Sequence, residues 1–165
     1  LAQTGTGKTA AFVLPILNRL ATRKKPGVRA LIVAPTRELA LQIQASIVEL
    51  GQRTGVRSLT LFGGVGLQPQ VDKLRRGADI VVACPGRLLD HIRRGSIRLG
   101  DLDILVLDEA DQMLDMGFLP DIRRILKHVP PKRQTLLFSA TMPAEMNRLA
   151  REILTRPLTI RIDRA

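Results

Sequence analysis

Leu102-Asp103-Ile104-Leu105-Val106-Leu107-Asp108-Glu109-Ala110-Asp111 is an apolar run of strand length that stops on three carboxylates. Ile104 to Leu107 has no polar face, as a strand covered by helices on both sides requires. Open sheets of that kind bind ligands beyond the carboxyl ends of their strands, so the acids stand where a ligand is expected. Asp108 at the tip suits the hydration shell of Mg²⁺, and Glu109 beside it suits orienting or deprotonating a water. Asp111 is expected to face elsewhere. Taken alone, such a cluster is more often a set of acids complementing a helix N-terminus.

A second stretch decides between those readings. Ala2-Gln3-Thr4-Gly5-Thr6-Gly7-Lys8-Thr9 has the phosphate-loop spacing, with Gly7-Lys8-Thr9 at its end. Its glycines let backbone N–H groups converge on a polyphosphate at a helix N-terminus, where anions are favoured. Lys8 reaches the outer phosphates, and Thr9 offers a hydroxyl to Mg²⁺. A plain glycine-rich turn before a helix is the alternative. With the acid strand downstream in the usual order, a nucleotide site with Asp108 as metal holder and Glu109 as base at the γ-phosphate is the better account.

Outward from these motifs, short β-rich runs alternate with helical patterns. Ala30 to Val33, Ser58 to Phe62, Ile80 to Ala83, Ile104 to Leu107, Thr135 to Phe138 and Leu158 to Ile162 are predicted strands. Helical stripes run through Leu39, Ile43, Ile47 and Leu50, and through Ile122, Ile125, Leu126 and Val129, all expected in the core. Thr36 and Thr141 with Pro143 mark helix starts; Gly51, Gly77 and Gly95 mark stops. Pro15 falls inside a helix predicted over Lys8 to Leu20 and should kink or shorten it. The class is α/β, doubly wound, with a mainly parallel sheet. Neither repeats nor low complexity divide the chain, and Arg23 to Gly27 is too short to separate domains.

Composition restricts the partner. Twenty-six Lys and Arg against 15 Asp and Glu leave +11 over 165 residues, which suits an anion, although a solvated basic surface would give the same balance. Twenty of the cations are Arg, whose planar fork matches phosphate oxygens. There is no Trp or Tyr, and Phe12, Phe62, Phe118 and Phe138 all lie in apolar runs, so base-stacking platforms are not expected. The longest mainly apolar stretch, Ala10 to Leu17, is too short to span a membrane. Cys84 is the one cysteine, which excludes an intrachain disulfide and predicts a cytoplasmic protein. His91 and His128 show no ligand spacing and are expected at surface or helix-end positions.

With the phosphate loop and Asp108-Glu109-Ala110-Asp111, the chain carries Pro35-Thr36-Arg37-Glu38-Leu39-Ala40, Gly63-Gly64, Pro85-Gly86-Arg87 and Ser139-Ala140-Thr141 in one order. On these six motifs it resembles the first RecA-like domain of the DEAD-box RNA helicases over nearly its whole length. The resemblance implies a RecA-like P-loop NTPase domain that uses ATP and Mg²⁺. It implies that Pro35, Thr36, Arg37, Gly63, Gly64, Pro85, Gly86 and Arg87 grip the backbone of single-stranded RNA without reading bases. By the same resemblance, Ser139 and Thr141 touch Asp111 and couple nucleotide state to RNA remodelling. Singly, Thr36 could be only a cap and the glycines only turns. Cys84 departs from the family, which usually has Thr there, and this puts one hydroxyl contact to RNA in doubt.

The family also has an adenine-reading segment upstream and a second RecA-like domain that supplies arginine fingers. Leu1 is not an initiator Met, so the chain is expected to be a piece of a longer protein. The strand that feeds the phosphate loop is reduced to Leu1 and Ala2, which predicts poor stability of the isolated piece. Without arginine fingers, worth roughly 10³ to 10⁵ in rate, hydrolysis by the piece should be feeble. Three activities fit: an ATP-dependent RNA helicase, an RNA clamp without productive ATP use, and a phosphate-loop ATPase acting on DNA or protein.

Overall fold

The four-residue runs without a polar face become the interior of a parallel sheet. A computed structural model describes residues 7–162, with β1 at Ala30–Val33, β2 at Ser58–Leu61, β3 at Ile80–Ala83, β4 at Ile104–Leu107 and β5 at Gln134–Leu137. The order is β2-β3-β1-β4-β5, and every neighbouring pair is parallel. Ala30 of β1 lies opposite Ile80 of β3 and Ile104 of β4, so the three central strands are in level register. All their residues are buried, as their composition requires.

Alternation of side chains along those strands builds two cores. Ala30, Ile32, Ile80, Val82, Ile104 and Val106 face α1 (Lys8–Thr22) and α2 (Arg37–Leu50). Their odd-numbered neighbours, such as Leu31, Val81 and Leu105, face the other layer. That layer comprises α3 (Leu67–Arg75), α4 (Pro85–Arg94), α5 (Ala110–Asp115), α6 (Leu119–Leu126) and α7 (Ala144–Ile153). The doubly wound α/β expectation holds, with the sheet wholly parallel. At the start of the strands, buried Arg29 places Nε and Nη2 on Asp103 Oδ2 at 3.0 and 2.8 Å, joining β1 to the approach of β4.

Several local expectations need correction. Leu158 to Ile162 takes no strand conformation: the apolar alternation is present, but Leu158 and Ile160 are 87% and 77% exposed, so the pattern does not mark a buried face. The runs expected to end at Phe62 and Phe138 stop one residue earlier, and Phe138 instead uses its carbonyl to receive the Ala110 N–H at 3.0 Å. Leu50 is exposed at the last turn of α2, and Val129 is buried beyond the end of α6. Pro15 neither ends nor shortens α1, because it sits on the exposed face, where the unbonded carbonyl one turn earlier meets water. Thr36 caps α2, its Oγ1 accepting from the Leu39 N–H at 3.2 Å. Thr141 caps nothing: α7 begins at Ala144 with Pro143 at the cap position, not in the first turn.

Candidate nucleotide and RNA site

Since all five strands run the same way, the segments leaving their carboxyl ends gather along one edge of the sheet. Pro35 and Thr36 come after β1, Gly63 and Gly64 after β2, Pro85 to Arg87 after β3, Asp108 to Asp111 after β4, and Ser139 to Thr141 after β5. Lys8 opens α1 at the same edge, its Nζ 2.6 Å from Asp108 Oδ1. The lysine turn and the acidic tip thus meet. Ala2, Gln3, Thr4, Gly5 and Thr6 lie outside the described residues; of the phosphate loop, Gly7, Lys8 and Thr9 are described, Gly7 with φ +79° at the cap position of α1.

Asp108 is fully buried, yet among the described residues only one of its oxygens has a partner. Oδ1 receives the Lys8 ammonium and the Glu109 N–H at 2.9 Å, while Oδ2 has no partner among the described residues. An orphaned carboxylate oxygen beside an ammonium fits a hard cation with its waters. Glu109 occupies the left-handed region at φ 48°, ψ 51°, uncommon for a residue with a side chain. That bend takes the chain straight from β4 into α5 and delivers the Ala110 N–H to Phe138. Burial, together with the negative charges of Asp108 and Asp111 and against the pull of Lys8, raises the Glu109 carboxyl above its ordinary pKa.

Asp111 faces the turn after β5, and its contact with Thr141 is the one the resemblance implies. Its Oδ2 accepts both the hydroxyl and the N–H of Thr141, each at 3.1 Å. Burial works in the opposite direction, but these bonds and the N–H groups of Ala140 and Gln112 hold the Asp111 carboxyl below its ordinary range. Ser139 makes a different bond: its hydroxyl donates to the Thr141 carbonyl at 2.7 Å and so braces the turn that presents Thr141.

On the other half of the edge, the Arg37 guanidinium lies 4.8 Å from the centre of the Phe62 ring. The cap uses the Thr36 oxygen as acceptor and does not consume its hydroxyl proton. Gly64 has φ +79° and needs no side chain for that reason alone. Gly63 and Gly86 have no such backbone need, and a Cβ at either would meet open space. Pro85 is buried in the first turn of α4. Cys84 precedes it without capping the helix, and burial followed by the charge of Glu38 pushes its thiol up to about 11, which leaves it inert as a nucleophile.

Two residues at this edge escape sequence reasoning. His91 is fully buried rather than superficial, its Nε2 2.9 Å from Gln70 Oε1 and its Nδ1 2.9 Å from Ser96 Oγ. Gln70 is the buried residue of α3, and its position among Leu67, Val71 and Leu74, at helical spacing, is the one available sign. Burial, with Arg87 and Arg94 adding to it against Asp90, lowers the His91 pKa from the ordinary 6.5. As pH falls through 6.5 the unfolded chain takes up this proton first, so stability is complete above 6.5 and declines below it. The urea midpoint is expected to drop between about pH 7.5 and about pH 5.5, and His91→Gln to flatten that slope; an unchanged slope would sink the assignment.

A lysine at a helix start paired with a buried aspartate at the tip of a parallel strand defines the RecA-like phosphate-loop class. The DEAD/DEAH box helicase family model matches residues 1–149, and the chain belongs to that family. It is 48% identical over 161 residues to the DEAD-box ATP-dependent RNA helicase CshA of Geobacillus kaustophilus, covering 98% of this chain and 34% of the relative. Identity to the ATP-dependent RNA helicase CshA of Limosilactobacillus reuteri is 50%, over 98% of this chain and 32% of the relative. The crystal structure of a DEAD box protein from the hyperthermophile Methanococcus jannaschii superposes with a TM-score of 0.88 at 41% identity, over 94% of this chain and 42% of that one. The chain thus spans about a third of the length of the curated relatives it matches.

Proposed function

We propose that this chain is the ATP-binding RecA-like domain of an ATP-dependent RNA helicase that remodels RNA locally, acting with a second RecA-like domain of the same protein. The observation that carries this reading is the pairing of Lys8 with a buried Asp108 whose second oxygen has no partner among the described residues, on the same edge as the two open glycines. In that reading Lys8 leaves Asp108 to hold the outer phosphates of ATP, with backbone support from the loop Ala2 to Gly7. Asp108 and Thr9 would hold Mg²⁺, which supplies charge neutralisation at the phosphates when bound. Glu109, beside Asp108 at the end of β4, takes a proton from the attacking water.

RNA lies along the other half of the edge. Arg37 and the outer face of Arg87 meet phosphates, the Thr36 hydroxyl donates, and Gly63, Gly64 and Gly86 let the strand approach the backbone. The buried state of Phe12 and Phe62 leaves no aromatic face for base stacking there, in keeping with backbone recognition. The Asp111 to Thr141 bonds join the acidic turn to the turn after β5, so a shift at the nucleotide moves both. Its working place is the cytoplasm; no described helix is long and apolar enough to cross a membrane.

Phosphate release by the intact protein should be stimulated by single-stranded RNA and much less by DNA of matched sequence, and Lys8→Ala should remove the stimulated rate. Equal stimulation by DNA would favour the reading as an ATPase acting on DNA. RNA binding with no ATP turnover, unaffected by Lys8→Ala, would favour a clamp.

A further inference from the structure

The buried residue of α3 is a glutamine, Gln70, with Leu74 only partly covered. Every polar group of that amide is used. Nε2 donates to the Phe62 carbonyl at 2.9 Å; Oε1 accepts from His91 Nε2 at 2.9 Å and from Arg87 Nη1 at 3.2 Å. The same Arg87 Nη1 donates to the Val65 carbonyl at 3.0 Å. Phe62 and Val65 are the residues on either side of Gly63-Gly64, so the turn is tied down at both ends. The Phe62 ring also carries Arg37.

We propose that Gln70 is the positioning residue of the RNA edge, one buried amide that fixes the Gly63-Gly64 turn, the Arg87 guanidinium and, through Phe62, the Arg37 platform. This rests on the RNA reading given above. Its logic is orientational: since Nε2 must donate to Phe62, Oε1 must accept from His91, which fixes the proton on Nε2 of the imidazole and leaves Nδ1 an acceptor that shares the single Ser96 hydroxyl proton with the His91 carbonyl, at 2.9 and 3.2 Å. His91 therefore holds the amide against rotation. Arg87, with Nη1 committed inward to two acceptors and Nε near Asp90 at 3.7 Å, keeps Nη2 for a phosphate. Pre-setting that fork removes an ordering cost that RNA binding would otherwise bear.

The test is a double-mutant cycle on RNA affinity in the intact protein, with Gln70→Met, a residue of similar volume without hydrogen-bonding groups, and Arg87→Ala. Gln70→Met is expected to weaken RNA binding about tenfold, the factor of one lost charge-assisted hydrogen bond, while ATP affinity stays within about twofold. In the Arg87→Ala background the same change should have a much smaller effect, because part of what it positions is gone. Gln70→Glu keeps the acceptors for Arg87 and His91 but puts an oxygen against the Phe62 carbonyl, so it should recover part of the affinity and serves where the methionine variant does not fold. Additive effects of Gln70→Met and Arg87→Ala, or loss of ATP and RNA affinity in equal measure, would overturn the positioning role. Wild-type protein that fails to bind RNA would instead overturn the RNA reading itself.

Discussion

Glu109→Gln is expected to slow RNA-stimulated ATP turnover by about 10² to 10⁴, the usual worth of a positioned general base, while ATP binding stays within about twofold. Glutamine keeps the size of the side chain and removes its ability to take a proton. The left-handed backbone at Glu109 makes this substitution cleaner than alanine, since glutamine faces the same strain that glutamate already bears. Phosphate release and equilibrium binding of a fluorescent ATP analogue, measured on the same preparation of intact protein, separate the two quantities. Turnover within about threefold of wild type would remove Glu109 from the mechanism and leave Lys8 and Asp108 to a binding role.

The second large effect concerns stability. Lys8→Ala takes away the ammonium 2.6 Å from a carboxylate that is fully buried and whose other oxygen has no partner among the described residues. Breaking such a pair by removing one partner costs about 3–5 kcal/mol, which for a domain of this length lowers the melting temperature on the order of 10 °C. Asp108→Asn in the Lys8→Ala background should restore much of the loss, because the buried charge is then gone. The melting curves are to be taken without nucleotide. If the single variant melts with wild type, the ion pair contributes nothing and Asp108 is stabilised in some other way.

Both experiments trace to the same feature of the sequence, a chain that places its chemistry at the ends of strands. β1, β3 and β4 are legible residue for residue because burial on both faces leaves no room for a polar position. β5 is legible to within one residue, its exposed first position, Gln134, giving no apolar sign. Leu158 to Ile162 misleads for the converse reason: alternation describes which side chains suit a half-buried strand, whereas here the apolar positions Leu158 and Ile160 stay exposed.

Among the site residues, Lys8, Asp108 and Glu109 can be singled out since spacing and residue type are themselves the chemistry. His91 cannot be placed that way, because a histidine in a basic helical stretch carries no mark of burial; the partner that satisfies its buried Nε2 is Gln70, 21 residues away. The contact of Thr141 with Asp111, 30 residues away, is expected only from the family resemblance and is present, whereas Ser139 bonds the Thr141 carbonyl instead.

By itself, then, the order of residues determined the wound parallel sheet, the candidate phosphate and metal ligands, and the edge at which they gather, because hydrophobic period and motif spacing are local properties. The folded chain alone decided which other polar side chains close on one another: Lys8 on Asp108, Ser139 on the Thr141 carbonyl, and Gln70 on Phe62, Arg87 and His91. Apart from the local Ser139 bond, such pairings are settled by the need to satisfy buried donors and acceptors across strands that are neighbours in space and distant in the chain, a constraint no local pattern records.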